Sequence, residues 1–184
     1  MLVGKRMSKE PVTVSPQETL ATAKAKMRAG KFRQIPVVED GRLVGIITEG
    51  DIREHLGDLE QTRVKSCMTE GLLTVAPGTT LEEAAATLLN HKIGSLPVIE
   101  DRRLVGIITT SDILRAFLDV MGASEPGTGR IDLLLEGEQY GLASASKAIV
   151  EEGGEVLGLG TYRERWGESP ICYLRIREGD LDGL

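Results

Sequence analysis

Aromatic side chains are almost missing from this chain: Phe, Tyr and Trp together make up 3% of its 184 residues. That excludes a core built on packed rings and removes the platforms on which single-stranded nucleic acid stacks its bases. Positive charge is also in deficit. Lys and Arg number 22 against 28 Asp and Glu, giving a formal net charge of −6. A phosphate backbone needs a basic face, so no nucleic-acid partner is expected. Cysteine is limited to Cys67 and Cys172, which fit neither a metal spacing nor a disulfide framework and suit a reducing cytoplasm. No apolar run approaches the roughly 20 residues that cross a bilayer, so no membrane partner is expected. Leu2-Val3 is followed at once by charges, and no signal-peptide core is read there. The 41% of hydrophobic residues must therefore build an aliphatic core, and the expected product is a soluble cytoplasmic protein.

What the chain does have is itself, twice. Val3 recurs as Val64, Met7 as Met68, Pro16 as Pro77 and Thr19-Leu20 as Thr80-Leu81. The run Leu43-Val44-Gly45-Ile46-Ile47-Thr48 returns unchanged as Leu104-Val105-Gly106-Ile107-Ile108-Thr109, and Asp51-Ile52 returns as Asp112-Ile113. The offset is constant at 61 with no gap, and about 23 of 52 aligned positions are identical. A period this long means one supersecondary unit built twice. Two units are too few for a solenoid, so the copies should close on each other about a pseudo-two-fold axis. The space between them is the first place to look for function.

Each copy reads strand, helix, strand, strand, helix. Pro11–Val14 and Leu72–Val75 are short strand candidates before a Ser-Pro or Ala-Pro, which bends the chain away. Thr80 and Glu83 have capping-box spacing. Leu20, Ala23 and Met27, matched by Leu81, Ala84 and Leu88, share one helical face, and Gly30 is a candidate C-cap. Asp40-Gly41 between two β-branched runs is a hairpin signal. Asp101-Arg102 is weaker turn chemistry with matching flanks.

The sequence Pro-Val-hydrophobic-Glu-Asp followed by Leu-Val-Gly-Ile-Ile-Thr-x-x-Asp-Ile resembles the cystathionine-β-synthase (CBS) domain. Two in tandem over roughly residues 2–120 resemble a Bateman module. The resemblance implies an α/β (α+β) pair whose clefts take adenosine compounds (AMP, ADP, ATP or S-adenosylmethionine) as regulatory ligands, and which commonly dimerises. The candidate motif is Thr-x-x-Asp, at Thr48 with Asp51 and at Thr109 with Asp112. A carboxylate can accept both ribose hydroxyls, and a hydroxyl beside a helix end suits a phosphate. The same spacing also makes a plain N-cap, and the two roles are compatible. The strips Phe32-Arg33-Gln34-Ile35-Pro36 and Ile93-Gly94-Ser95-Leu96-Pro97 resemble the family's adenine frame. Arg33 is a phosphate candidate by its fork of donors, with a solvated surface arginine as the alternative. Gly94 stands where the first copy has Arg33, so the two clefts should not be equivalent.

His55 and His91 read as helix-end histidines with no Ser, Cys or metal-ligand neighbour at catalytic spacing, and Met7 and Met68 as core. No nucleophile–base pair, metal cluster or phosphate loop is present, so no enzyme, metal or resident cofactor is expected.

Gly, Pro and Ser between Gly122 and Gly129 mark a linker. Beyond it, Arg130–Leu135 reads as a strand, Leu142, Ala145, Ala148 and Ile149 as one helical face ended by Gly153-Gly154, and Glu155–Tyr162 and Ile171–Arg177 as two strands around a turn at Gly167. This resembles the first part of an ACT domain, a ferredoxin-like fold, with Tyr140-Gly141-Leu142 at its helix entry and Gly179–Leu184 at the start of a second helix; either the chain is truncated there or the missing edge is supplied otherwise. The domains are then read as 1–60, 61–123, a linker at 124–129, and 130–184. CBS, CBS, ACT in this order resembles the AcuB-type acetoin-utilisation proteins. The expected function is a nucleotide-sensing regulator that forms a homodimer through the CBS pair and the ACT-like segment. A structural dimerisation module without nucleotide is the alternative.

Overall fold

A computed structural model describes residues 1–134, 141–165 and 169–177. Two compact units divide the chain, Met1–Ile113 and Leu114–Leu184. The elements of the first copy are helix α1 (Leu20–Gly30), strands β2 (Gln34–Glu39) and β3 (Arg42–Thr48) and helix α2 (Glu49–Arg53), preceded by a two-residue strand β1 (Ser8–Lys9). The second copy repeats them as α3 (Leu81–His91), β4 (Ser95–Glu100), β5 (Arg103–Thr109) and α4 (Thr110–Val120).

The two hairpins match residue for residue. Gln34 faces Thr48 and Ser95 faces Thr109, and each ladder slips once, at Val37/Val38 and at Val98/Ile99. Both turns place two residues at positive φ, Asp40 (48°) with Gly41 (76°) and Asp101 (48°) with Arg102 (64°). This is the backbone of a tight hairpin turn. Arg102 holds it without glycine's freedom, at a cost of about 1–2 kcal/mol for an L side chain in the left-handed region.

The segments read as opening strands form no strand. Only single parallel bridges survive, Val14 to Val37 and Val75 to Val98. Proline at 16 and 77 ends the extended run after those residues and stops the ladder growing. Gly30 is also not the C-cap. That role falls to Lys31 at φ 55°, as it does to Lys92 at φ 53° in the second copy. Gly30 is glycine for another reason: a Cβ there would lie 1.8 Å from the Phe32 ring.

The copies are tied by an exchange that the repeat itself did not reveal. Segment 2–9, which opens the first copy in sequence, joins the second. Ser8 pairs with Ile107, Leu2 bridges Thr80, and the Val3 amide donates to Thr79 O at 2.9 Å. Segment 63–69, one period on, joins the first copy: Thr69 bridges Ile46, Arg63 bridges Thr19, and Val64 N donates to Glu18 O at 2.9 Å. Val64 is buried in the core of the first copy with Leu20, Ala23, Met27, Ile35 and Ile47. Met7 and Met68 seal the exchange. A Cβ on Gly106 would sit 2.4 Å from Met7 Sδ, and one on Gly45 2.8 Å from Met68 Sδ.

The second unit is an antiparallel sheet of β6 (Thr128–Leu134), β8 (Ile171–Arg177) and β7 (Glu155–Tyr162), in the order β6-β8-β7, with helix α5 (Gly141–Glu151). Strand β6 starts two residues inside the linker read from sequence, because Thr128 and Gly129 pair with Arg177 and Ile176. Ile149, Leu174 and Ile176 form its core, with Leu142 and Ala145 packed on them. Gly153 at φ 81° ends α5. Arg130 lies over the rings of Tyr162 and Tyr173, at 5.5 and 5.1 Å, a pair of cation–π contacts. Tyr140, Leu135, the Gly167 turn and Gly179–Leu184 lie outside the described residues. No helix among the described residues is long and apolar enough to cross a membrane.

Candidate functional site

The strip and the helix that follows each hairpin are held together by the same bond in both copies. Glu49 N donates to Arg33 O at 2.8 Å, and Thr110 N donates to Gly94 O at 3.1 Å. At the helix entry the Thr-x-x-Asp motif closes on itself. The Thr48 amide and hydroxyl both donate to Asp51 Oδ2, at 2.8 Å each, and Asp51 N donates back to Thr48 Oγ1 at 3.3 Å. Thr109 and Asp112 repeat this at 2.9, 2.7 and 3.3 Å. These are capping interactions, each contributing about 1 kcal/mol to the helix start. Oδ1 of Asp51 makes no hydrogen bond among the described residues.

Between the copies lies a cavity of about 660 Å³, within the range of small-molecule sites. It gathers Arg33, Gln34, Pro36 and Thr48 from the first copy and Gly94 and Thr109 from the second. The two strips meet there: a Cβ on Gly94 would lie 3.7 Å from the Gln34 amide nitrogen. Asp51, Asp112, Ile93, Ser95 and Pro97 do not line this cavity. The two acids turn their Oδ2 atoms into the caps, and Ser95 is 5% exposed with no partner for its Oγ among the described residues. A buried hydroxyl without a partner costs about 1–3 kcal/mol.

Phe32, from the expected adenine strip, lines the cavity as well, and so do Lys31 and Arg53, which sequence reasoning did not select. All come from the first copy, and their counterparts are Ile93, Lys92 and Leu114. Lys31 and Arg53, with Arg33, make that side of the cavity cationic, opposed by Glu49. None of the three cations forms an ion pair among the described residues. The signal for Arg53 is in the repeat alignment, where it falls against Leu114 directly after the matched Asp-Ile.

His55 does have a cysteine neighbour, contrary to the expectation from spacing. Cys67 Sγ lies 3.5 Å from its Nε2, and its Nδ1 lies 3.0 Å from Asp51 O. The segment exchange brings residue 67 back onto the first copy, so a separation of twelve residues gave no clue. Burial pushes the Cys67 thiol up, and the charges of Asp51 and Glu54 add to this. A thiol held protonated is a poor nucleophile, and the contact reads as packing. No group of three metal-ligating side chains occurs among the described residues.

A strip-and-cap unit built twice and closed around one cavity defines a tandem domain pair. The CBS domain model matches residues 3–58 and 64–119, and the chain belongs to the CBS-domain family. Domain pairs of this family are regulatory modules, not catalysts. Inosine-5'-monophosphate dehydrogenase from Staphylococcus aureus is 34% identical over 158 residues, 82% of this chain; the aligned stretch spans 31% of that enzyme's length, its CBS part. Among solved structures, a protein named for acetoin utilization (AcuB) from Vibrio cholerae is 34% identical, with a TM-score of 0.61 over 68% of this chain and 98% of that one. The CBS domain pair of protein MJ0100, in complex with 5'-methylthioadenosine and S-adenosyl-L-methionine, is 30% identical, with a TM-score of 0.60 over 68% and 98%. CBSX2 of Arabidopsis thaliana in complex with AMP is 29% identical, with a TM-score of 0.57 over 64% and 96%.

Proposed function

We propose that this chain is a regulator that senses an adenosine compound in the cavity between its two CBS domains. One observation carries the reading: a single 660 Å³ cavity collects Arg33, Gln34, Pro36 and Thr48 with Gly94 and Thr109, drawn from both copies of the motif. Related pairs hold AMP, 5'-methylthioadenosine and S-adenosylmethionine. Arg33 would meet phosphate, and Gln34 and Pro36 with Gly94 would frame adenine. Ribose would meet Thr48, which lines the cavity, and reach the Oδ1 of Asp51 bonded behind it; Thr109 with Asp112 would do so on the second side. The second cleft, along Ile93, Ser95 and Pro97, would receive the weaker ligand, and the unpartnered Ser95 hydroxyl supports a polar visitor there.

Several wider assignments belong to the same proposal. The domains run 1–60 and 61–123, with a linker at 124–129 and an ACT-like module at 130–184. The strand order β6-β8-β7, with α5 crossing between the two parallel outer strands, supports a split βαβ unit. Likeness to AcuB supports a role in acetoin utilisation, with the protein a cytoplasmic homodimer. Helix α4 leaves Leu114, Phe117 and Val120 more than half exposed, as a pairing surface would.

The test is calorimetry with AMP, ADP, ATP, S-adenosylmethionine and 5'-methylthioadenosine. Binding of one or more, weakened at least tenfold by Asp51→Ala or Asp112→Ala, is the expected result; no heat with any of them rejects the reading. A module with no nucleotide is the second reading. It is favoured by one fact, that both motif acids already serve their own caps, and it predicts that the same variants lose helix stability alone.

A further inference from the structure

A second cavity, of about 370 Å³, opens where the two hairpins turn. Arg42 and Arg102 line it, with Leu43, Val44, Leu72 and Ile99 as an apolar wall. None of these residues belongs to the nucleotide site. Neither guanidinium forms a salt bridge among the described residues, although the acids Glu39, Asp40, Glu100 and Asp101 lie in or beside the same two turns.

The repeat shows that the lining of this cavity departs from symmetry. Its counterpart one period away would be lined by Arg103, Gly41, Glu10 and Pro11 in place of Arg42, Arg102, Gly71 and Leu72. Two of these exchanges act in the same direction. Glu10 becomes Gly71, which removes an acid and a side chain, and Gly41 becomes Arg102, which adds a cation. The second exchange is unfavourable for the backbone, since Arg102 sits at φ 64° where the first copy has glycine. Strain kept at one position when the duplicate shows the relaxed solution suggests that the side chain is needed.

The geometry points to a second ligand site at the hairpin end, for a small organic anion that sets a carboxylate or phosphate head between Arg42 and Arg102 and a short aliphatic body on Leu43, Val44, Leu72 and Ile99. A guanidinium fork matches either head group. The apolar wall discriminates against a bare inorganic ion.

Full-length protein is titrated with butyrate, hexanoate, butyl phosphate and inorganic phosphate, with saturation-transfer NMR and calorimetry as readouts. At least one of the three aliphatic anions should bind more than tenfold tighter than inorganic phosphate, and the preferred head group separates carboxylate from phosphate ligands. Arg102→Gly copies the turn of the first repeat, so it should raise the melting temperature while weakening that anion at least tenfold. Arg42→Ala should weaken it comparably, and Arg33→Ala should leave it unchanged. No binding by any aliphatic anion at millimolar concentration, affinity equal to that of inorganic phosphate, or binding indifferent to Arg102→Gly would each overturn the assignment.

Discussion

The two CBS copies share a backbone and differ in what they present to solvent. Their ladders, slips, caps and αL helix ends coincide at an offset of 61 residues. The cavity between them is furnished mainly by one side, with Lys31, Arg33 and Arg53 at positions where the other copy has Lys92, Gly94 and Leu114. Duplication thus fixed the frame, because each core position is constrained by neighbours on every side, while cleft positions face solvent or ligand and were free to diverge. Equivalent substitutions in the two copies measure how far this division holds.

Truncating the matched core leucines should have the largest effect. Leu20 is fully buried and Leu81 is 7% exposed. Leu20→Ala should cost about 3–4 kcal/mol and Leu81→Ala about 2–3 kcal/mol, read by denaturant unfolding. Equal costs would mean that the copies share one core energetically. Next are the glycines under the exchanged methionines. Gly106→Ala meets Met7 Sδ at 2.4 Å and Ser8 O at 3.0 Å, and Gly45→Ala meets Met68 Sδ at 2.8 Å and Thr69 O at 3.0 Å. Each should destabilise by about 1–3 kcal/mol, Gly106→Ala more. Adding Met7→Ala should recover part of the loss, since neighbouring sites are not additive.

The smallest effect separates the copies by pH. Burial alone would raise the Glu18 carboxyl, but the Lys26 ammonium and the Ser15 amide outweigh it and hold it below the usual carboxylate range. The contacts are short, 2.8 Å to Lys26 and 2.6 Å from Ser15 N. A depressed folded value means that the contribution is complete above the unfolded value of about 4.3 and fades as pH falls through the folded one. The second copy has Thr79 and Thr87 at these positions. Glu18→Thr should therefore cost under about 1 kcal/mol at pH 7, since both side chains are about a third exposed, and should flatten stability below pH 4.5. An unchanged acid slope would assign that slope to other groups.

The sequence displayed the repeat, the hairpins and the Thr80–Glu83 cap, because each rests on local rules about spacing and turn residues. It concealed which copy each opening segment completes. An offset says that Ser8 and Thr69 are equivalent, and nothing about whose sheet they join, since both choices bury the same side chains. The Cys67–His55 contact was hidden for that reason. Asp51 and Asp112 were legible as motif residues, but the capping geometry that occupies one oxygen of each depends on backbone angles that no spacing reports.

The exchange of segments also sets an order of events during synthesis. Residues 63–69 leave the ribosome when the sheet they complete has already been made. Residues 2–9 belong to a sheet whose strands appear about 100 residues later, so they must stay unpaired, with Val3 and Met7 exposed, until β5 has been made. A substitution that weakens segment 2–9 would therefore burden the copy translated last, leaving its immediate neighbour in sequence untouched.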